Sequence, residues 1–397
     1  MPHTLINLFL RGRINNLLIF IKNILRASLE CWMAFVPRYI PEIKNKKRGI
    51  NLIGHSPDRG LGIALESIYQ SIKNKIPVYC LILPPLFTRK ENTMHPMNLF
   101  VGNPLMTVHA WINFPKLSIY SSYNVGYFFW ELESPPKSWI KLSHWFDEIW
   151  VESDFMLRSF KKLSPRVFKI PFAIHVECNK DFNRHYFKLP AKKFIFLFTF
   201  DFWSFYQRKN PEAVVSAFKK AFGHRNDVYL FIKSSRGELF PNEVAKLKSA
   251  IGISSNIEFK DLFMTKVELS SLIQQCNAYI SLHRSEGLGL AMAEAMSLGK
   301  PVIATHYSGN LEFMNLKNSC LVNFKKVPVQ KDSYLYFRDQ MWAEPNIEDA
   351  AQLMIKVKEN KVFREKIAKQ AKIDMKAFTH KNQAAAILKR LDVIYGK

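Results

Sequence analysis

The chain has 397 residues, 48% of them hydrophobic, enough to bury more than one core. Lys and Arg number 57 against 33 Asp and Glu, a net charge of +24, which favours an anionic partner: nucleic acid, anionic lipid or an anionic small molecule. Five cysteines (Cys31, Cys80, Cys178, Cys276, Cys320), odd in number and in no Cys-x-x-Cys spacing, exclude a disulfide framework or a zinc-ribbon site and suit a reducing compartment.

Residues 1–48 form a basic extension, with nine Lys/Arg against Glu30 and Glu42. Ile14, Leu17, Leu18, Ile21, Leu25, Leu29 and Trp32 recur at steps of three and four, which predicts one apolar helical face. The uninterrupted apolar stretches are too short to span a bilayer. Such a helix either lies in the interface of an anionic membrane, helped by the cluster Lys44, Lys46, Lys47 and Arg48, or packs on the protein itself. No small-residue cleavage site follows the apolar region, so a cleavable signal peptide is not expected.

From Gly49 onward short apolar runs alternate with helical patterns, the signature of a parallel sheet covered by helices. Strands are expected at Ile50–Ile53, Val78–Leu83, Val125–Trp130, Glu148–Val151 and Val167–Ile170, with a helix at Ile63–Lys73. Pro171 and the polar stretch Asn179–Asn183 suggest a linker. The alternation restarts with Phe194–Phe200, a nearly unbroken apolar run suited to burial on both faces. Helix Glu212–Phe222 and strands Val228–Ile232, Ile257–Phe259, Ala278–Leu282, Val302–Thr305 and Cys320–Val322 follow. After Trp342 the pattern is wholly helical.

The most informative stretch is Ser285–Met314. Glu286 precedes a glycine turn, Gly287-Leu288-Gly289-Leu290, and the helix-forming run Leu290–Leu298 carries Glu294. Both carboxylates can approach one pocket at the helix N-terminus, where free backbone N–H groups suit a phosphate. Carboxylates for hydroxyls beside an anion site suit a ligand containing both a sugar and a diphosphate, a nucleotide sugar.

This pattern, with Gly-Lys-Pro-Val and Ser308-Gly309-Asn310 in register, resembles the E-x7-E signature of retaining glycosyltransferases of family 4. The resemblance covers roughly residues 49–390. It implies an α/β GT-B fold, two Rossmann-like domains facing each other across a cleft: an acceptor domain at 49–178 and a nucleotide-sugar-binding domain at 190–375. It also implies a terminal helix, 376–397, crossing back to the first domain. In such enzymes the residue matching Glu294 holds the ribose, that matching Glu286 contacts the donor sugar, and the glycine turn meets the diphosphate through backbone amides. The loop Gln207–Pro211 then places Arg208 and Lys209 on the leaving diphosphate. Many members carry an arginine where this chain has Trp203, and Arg208, adjacent to Lys209, is the candidate to take its place.

Lys233, at a strand end, either faces the diphosphate or base or is solvated. Ser308, Gly309 and Asn310 should face the cleft unless they form an ordinary turn. His283 either contacts the donor or is structural. Gly60-Leu61-Gly62 resembles the glycine loop that approaches the donor diphosphate; a tight turn serves as well, leaving Gly60 and Gly62 open. Phe129-Trp130-Glu131-Leu132 resembles a subgroup with a Trp-Glu-Leu motif, in which Trp130 stacks on an acceptor sugar and Glu131 accepts from an acceptor hydroxyl. The alternative is a buried aromatic beside an exposed carboxylate.

No Asp-x-Asp motif occurs, so neither a divalent metal nor another cofactor is expected. The resemblance implies transfer of a hexose from a UDP- or GDP-sugar, with retention, to a lipid-linked glycan or cell-surface polysaccharide precursor. Under that reading the protein is cytoplasmic and peripheral on the inner face of the membrane, with no nucleic-acid partner. Two alternatives stay open: a soluble transferase acting on a small sugar or a protein, and a non-catalytic scaffold of the same fold that binds membrane or nucleic acid.

Overall fold

The computed structural model describes residues 41–44, 46–56, 60–83, 95–113, 118–331, 333–334 and 338–396. The amphipathic helix expected at Ile14–Trp32 lies outside them.

Two six-stranded parallel sheets, each with helices packed on it, give an α/β architecture of two Rossmann-like units. The first contains β1 (Ile50–Gly54), β2 (Val78–Ile82), β3 (Met97–Gly102), β4 (Tyr123–Phe128), β5 (Glu148–Val151) and β6 (Val167–Lys169), in the order β2-β1-β3-β4-β5-β6. The second contains β7 (Phe194–Thr199), β8 (Val228–Ser234), β9 (Ile257–Asp261), β10 (Ala278–Ser281), β11 (Val302–Thr305) and β12 (Cys320–Val322), in the order β12-β11-β10-β7-β8-β9. Central strands are buried on both faces, which is why β7 reads Phe-Ile-Phe-Leu-Phe-Thr without alternation. In each sheet the order reverses at one point, beside β1 in the first and between β7 and β10 in the second. Crevices for ligands form outside the carboxyl ends of strands at such a reversal.

Helix His380–Tyr395 packs against helix Gly60–Ile72 of the first unit. Ser71 Oγ donates to Gln383 Oε1 at 2.6 Å, and the Tyr395 hydroxyl donates to the Gly49 carbonyl at 2.8 Å. Arg390 Nε donates at 2.7 Å to Glu148, a fully buried carboxylate that also receives Trp150 Nε1, the Tyr123 hydroxyl and Arg166. Burial alone would push that carboxyl up; these donors outweigh it and hold it below the usual range.

Several elements depart from expectation. The helix expected to begin at Ile63 begins at Gly60, so Gly60-Leu61-Gly62 is its first turn rather than a free loop. Strand β4 starts two residues before Val125 and stops at Phe128. Strand β3 has no counterpart in the sequence reading: Asn98 interrupts its apolar run. In the fold Asn98 is satisfied by a ladder, with Asn51 Nδ2 donating to Asn98 Oδ1 and Asn98 Nδ2 to Asn124 Oδ1, both at 2.9 Å. A hairpin of β13 (Phe324–Pro328) and β14 (Met341–Pro345) carries extended structure past Trp342, where only helix was expected. Among the described residues no helix is long and apolar enough to cross a membrane.

Candidate active site

The loops after β7 and β10, which flank the reversal in the second sheet, supply most of the site. After β7 the chain makes a short helix, Tyr206–Lys209, bracketed by Phe205 at φ 65° and Asn210 at φ 54°. Left-handed backbone at two non-glycine residues is costly and holds the basic pair Arg208-Lys209 in a fixed position. Pro211 then opens the next helix, where its missing N–H is harmless.

Arg208 is nearly fully buried. Its guanidinium donates to the Ser285 carbonyl at 2.8 Å and the Ser204 carbonyl at 3.2 Å, and pairs with Glu286 Oε2 at 3.1 Å. Glu131 Oε1, from the first unit, lies 3.8 Å away. Lys209 forms a close ion pair with the other oxygen of Glu286. Burial alone would push the Glu286 carboxyl up, but Lys209 and Arg208 hold it at about 2. Burial pulls the Lys209 ammonium down, and Glu286 offsets that only in part, because Arg208 adds to the fall. A buried and a half-buried cation are thus balanced by two carboxylates, one from each unit.

After β10 the chain enters the glycine turn. The Glu286 N–H donates to Ser308 Oγ at 2.8 Å, and the Gly309 N–H donates to the Glu286 carbonyl at 2.8 Å. A Cβ on Gly309 would stand 1.6 Å from the Gly287 carbonyl oxygen, so no side chain fits there. Gly289, at φ 92°, caps helix Leu290–Ser297. The turn is also gripped from the first unit: Ser153 Oγ donates to the Gly287 carbonyl at 2.8 Å, and Ser285 Oγ bonds the Glu131 carbonyl.

Glu294 lies on helix Leu290–Ser297, partly buried, and its carboxylate makes no hydrogen bond or ion pair among the described residues. Burial pushes its carboxyl up to about 7, only partly countered by Lys266. Lys233 ends near the carboxyl edge of β8 and is buried; burial pulls its ammonium down against the opposing pull of Asp201 and Asp261. His283 is fully buried, within 3.3 Å of both the Tyr307 carbonyl and Asn310 Oδ1 through Nε2 and 3.1 Å from Ser281 Oγ through Nδ1. Burial lowers its pKa, which favours the neutral ring. Asn310 in turn donates to the Thr305 carbonyl at 3.0 Å. Ser308, Gly309, Asn310 and His283 therefore brace the glycine turn.

Trp130 is 4% exposed, its ring set edge-on against Trp139 and Tyr334 and its Nε1 donating to the Ser134 carbonyl at 2.8 Å. In this arrangement it is a buried aromatic and offers no free face to a sugar. Glu131 beside it accepts from the Tyr334 hydroxyl at 2.6 Å. Tyr334 comes from the connection between β13 and β14, with its ring 4.4 Å from that of Phe205. Nothing local in the sequence marks it. Ser153 has a local signal, an N-cap serine followed by Asp154, one residue beyond the strand β5. Among the described residues no group of three or more His, Cys, Asp or Glu is placed to hold a metal.

Two facing Rossmann-like units, with a basic pair and a glycine turn at the strand ends between them, give the chain the GT-B fold. Residues 179–374, just short of half the chain, match the family model for glycosyl transferases group 1. Three solved structures share the fold at low identity. Anabaena HepE in complex with UDP and glucose is 14% identical, with a TM-score of 0.65 over 87% of this chain and 99% of that one. Sucrose-phosphate synthase from Thermosynechococcus elongatus is 13% identical, with a TM-score of 0.65 over 88% and 100%. A glycosyltransferase from Rickettsia africae is 15% identical, with a TM-score of 0.61 over 88% and 99%.

Proposed function

We propose that the protein transfers a hexose from a UDP- or GDP-linked sugar to an acceptor hydroxyl, with retention, in the manner of the family 4 enzymes it resembles. The observation that carries this reading is the buried Arg208–Lys209 pair, held by Glu286 beside a glycine turn and a helix N-terminus. Fixed cations and backbone amides at one point suit a leaving diphosphate without a metal. Arg208 can fork across two phosphate oxygens, whereas Lys209 acts as a point charge. Glu294, unpartnered and on the same helix, is the candidate for the ribose hydroxyls and Glu286 for the sugar. Lys233, at the neighbouring strand end, is the candidate for the diphosphate or base.

In this scheme residues 49–178 present the acceptor and residues 190–375 the donor. The bond to the anomeric carbon breaks on the face where the acceptor enters, and the departing phosphate oxygen takes the acceptor proton. The protein then positions and stabilises charge, and needs no separate nucleophile. The basic segment 1–48 fits an acceptor at an anionic membrane surface, a lipid-linked glycan or cell-surface polysaccharide precursor, with the enzyme peripheral on the cytoplasmic face. UDP in the complexes of HepE and of the pneumococcal O-GlcNAc transferase GtfA supports UDP as the first nucleotide to try.

The test is a thermal-shift panel of UDP, GDP and their sugar conjugates on wild type and Glu294→Ala. A ligand at a hundred times its dissociation constant adds roughly 2.7 kcal/mol. Stabilisation by one nucleotide series, weakened in the variant, is the expected result. No shift from any of them overturns the donor reading.

A further inference from the structure

Glu152 follows β5 directly, at the carboxyl end of the first sheet. The next residue, Ser153, grips the Gly287 carbonyl, so Glu152 stands where the loops of the first sheet meet the glycine turn of the second. Its side chain is buried, and its Oε2 has no hydrogen-bond partner among the described residues. The two carboxylates whose charge it feels are both provided for. Glu131 takes the Tyr334 hydroxyl and lies near Arg208, while Glu312 takes the Asp154 N–H at 2.9 Å and Lys169 at 2.8 Å.

An orphaned carboxyl oxygen is expensive to bury, and a hydrogen-bond donor from a bound ligand would relieve it. Burial pushes the Glu152 carboxyl well above the usual carboxylate range, and Glu131 and Glu312 push it the same way. The acid form so favoured both donates and accepts, which matches a hydroxyl better than it matches a cation or an apolar group. The side of the site matters too. Arg208, Lys209 and Glu294 come from the second unit, whereas Glu152 comes from the first, one residue before the serine that grips the glycine turn.

We infer that Glu152 is an acceptor-binding residue, its carboxyl exchanging a hydrogen bond with a sugar hydroxyl of the acceptor. The inference rests on the transferase reading above and deepens it, since it makes the acceptor group a polyol. Glu152 then fixes which hydroxyl is presented to the donor.

The experiment compares wild type, Glu152→Gln and Glu152→Leu. Binding of glucose, galactose, mannose and N-acetylglucosamine to the UDP-loaded protein is read by saturation-transfer NMR, and UDP binding separately by thermal shift. Wild type is expected to bind at least one sugar of the panel, Glu152→Gln to retain it, and Glu152→Leu to bind it at least tenfold more weakly. UDP should shift all three proteins alike. Without ligand, Glu152→Leu should melt a few degrees above wild type, because a buried carboxyl without a partner has been removed. A merely structural carboxyl would give the opposite change. Equal sugar binding by Glu152→Leu, no sugar bound by wild type, or a lower melting temperature for Glu152→Leu overturns the inference while leaving the donor reading intact. Absence of a UDP shift in wild type overturns the donor reading and, with it, the premise of this one.

Discussion

At Glu286, burial and two cations act on one carboxyl in opposite directions, and the cations win, holding it at about 2. That depressed value contributes stability above the ordinary carboxylate range, and the contribution is lost as the pH falls toward about 2. Glu286→Gln leaves Arg208 and Lys209 buried side by side without their main counter-charge, a loss expected to cost roughly 3–5 kcal/mol. A diphosphate supplies the missing anion, so UDP should raise the melting temperature of Glu286→Gln by more than that of wild type. An equal or smaller UDP shift in the variant would show that the pair does not face the phosphates. Arg208→Met should lower kcat about 10²–10³-fold, the usual effect of removing one fixed group that stabilises developing charge. A change confined to KM would contradict that role. Glu294 behaves in the opposite sense to Glu286. Its carboxyl is raised to about 7, so its contribution is complete below the ordinary carboxylate range and is lost as the pH rises through about 7. Glu294→Gln should therefore narrow the drop in melting temperature between pH 5 and pH 8; an unchanged drop would place the cause elsewhere.

Among the elements, those that rest on local chemistry were legible in the sequence. Strands Glu148–Val151, Val302–Thr305 and Cys320–Val322 coincide with apolar runs, and Pro211 marks its helix start. Elements that depend on distant partners were not. Asn98 looks like a break in β3 until Asn51 and Asn124 are seen on the adjoining strands. Strand β13 of the hairpin is partly exposed and places Lys325 and Lys326 between Phe324 and Val327, and β14 offers only the short run Met341–Ala343, too short to mark a strand. Helix His380–Tyr395 makes the distant contribution testable. Its Arg390 closes over the Phe168 ring, 3.7 Å from the centroid, and neutralises the buried Glu148. Arg390→Met retains the apolar stem but leaves that carboxylate short of its bidentate partner. A cost of roughly 3 kcal/mol in urea unfolding is expected, together with faster proteolysis after residue 380. Faster proteolysis with unchanged global stability would mean that the helix frays independently of the first unit.

Over the whole molecule, the half of the site carried by the loops after β7 and β10 was readable because each motif is contiguous. The seam is not contiguous: the adjacent Glu152 and Ser153 and the distant Tyr334 reach it from two separate stretches of chain, and only the fold brings them to Gly287 and Glu131. Charge is the remaining property of the whole chain. The segment 1–40 joins the body beside the C-terminal helix, where Arg48 pairs with Asp392 at 2.7 Å, so any surface it binds is held near the first unit. Under the membrane reading, the apolar stripe expected from the sequence at Ile14–Trp32 would insert, and the neighbouring cations would add roughly 1 kcal/mol each at an anionic surface. Because that attraction is screened over about 10 Å at 0.1 M salt, binding to phosphatidylserine vesicles in a flotation assay should weaken steeply as salt rises. Deletion of residues 1–40 should abolish flotation while the nucleotide-induced thermal shift persists, since none of the proposed donor residues lies in that segment. Flotation that survives the deletion would assign the attraction to the folded body, whose remaining net charge is still strongly positive, and would remove the physical reason for placing the acceptor at a membrane.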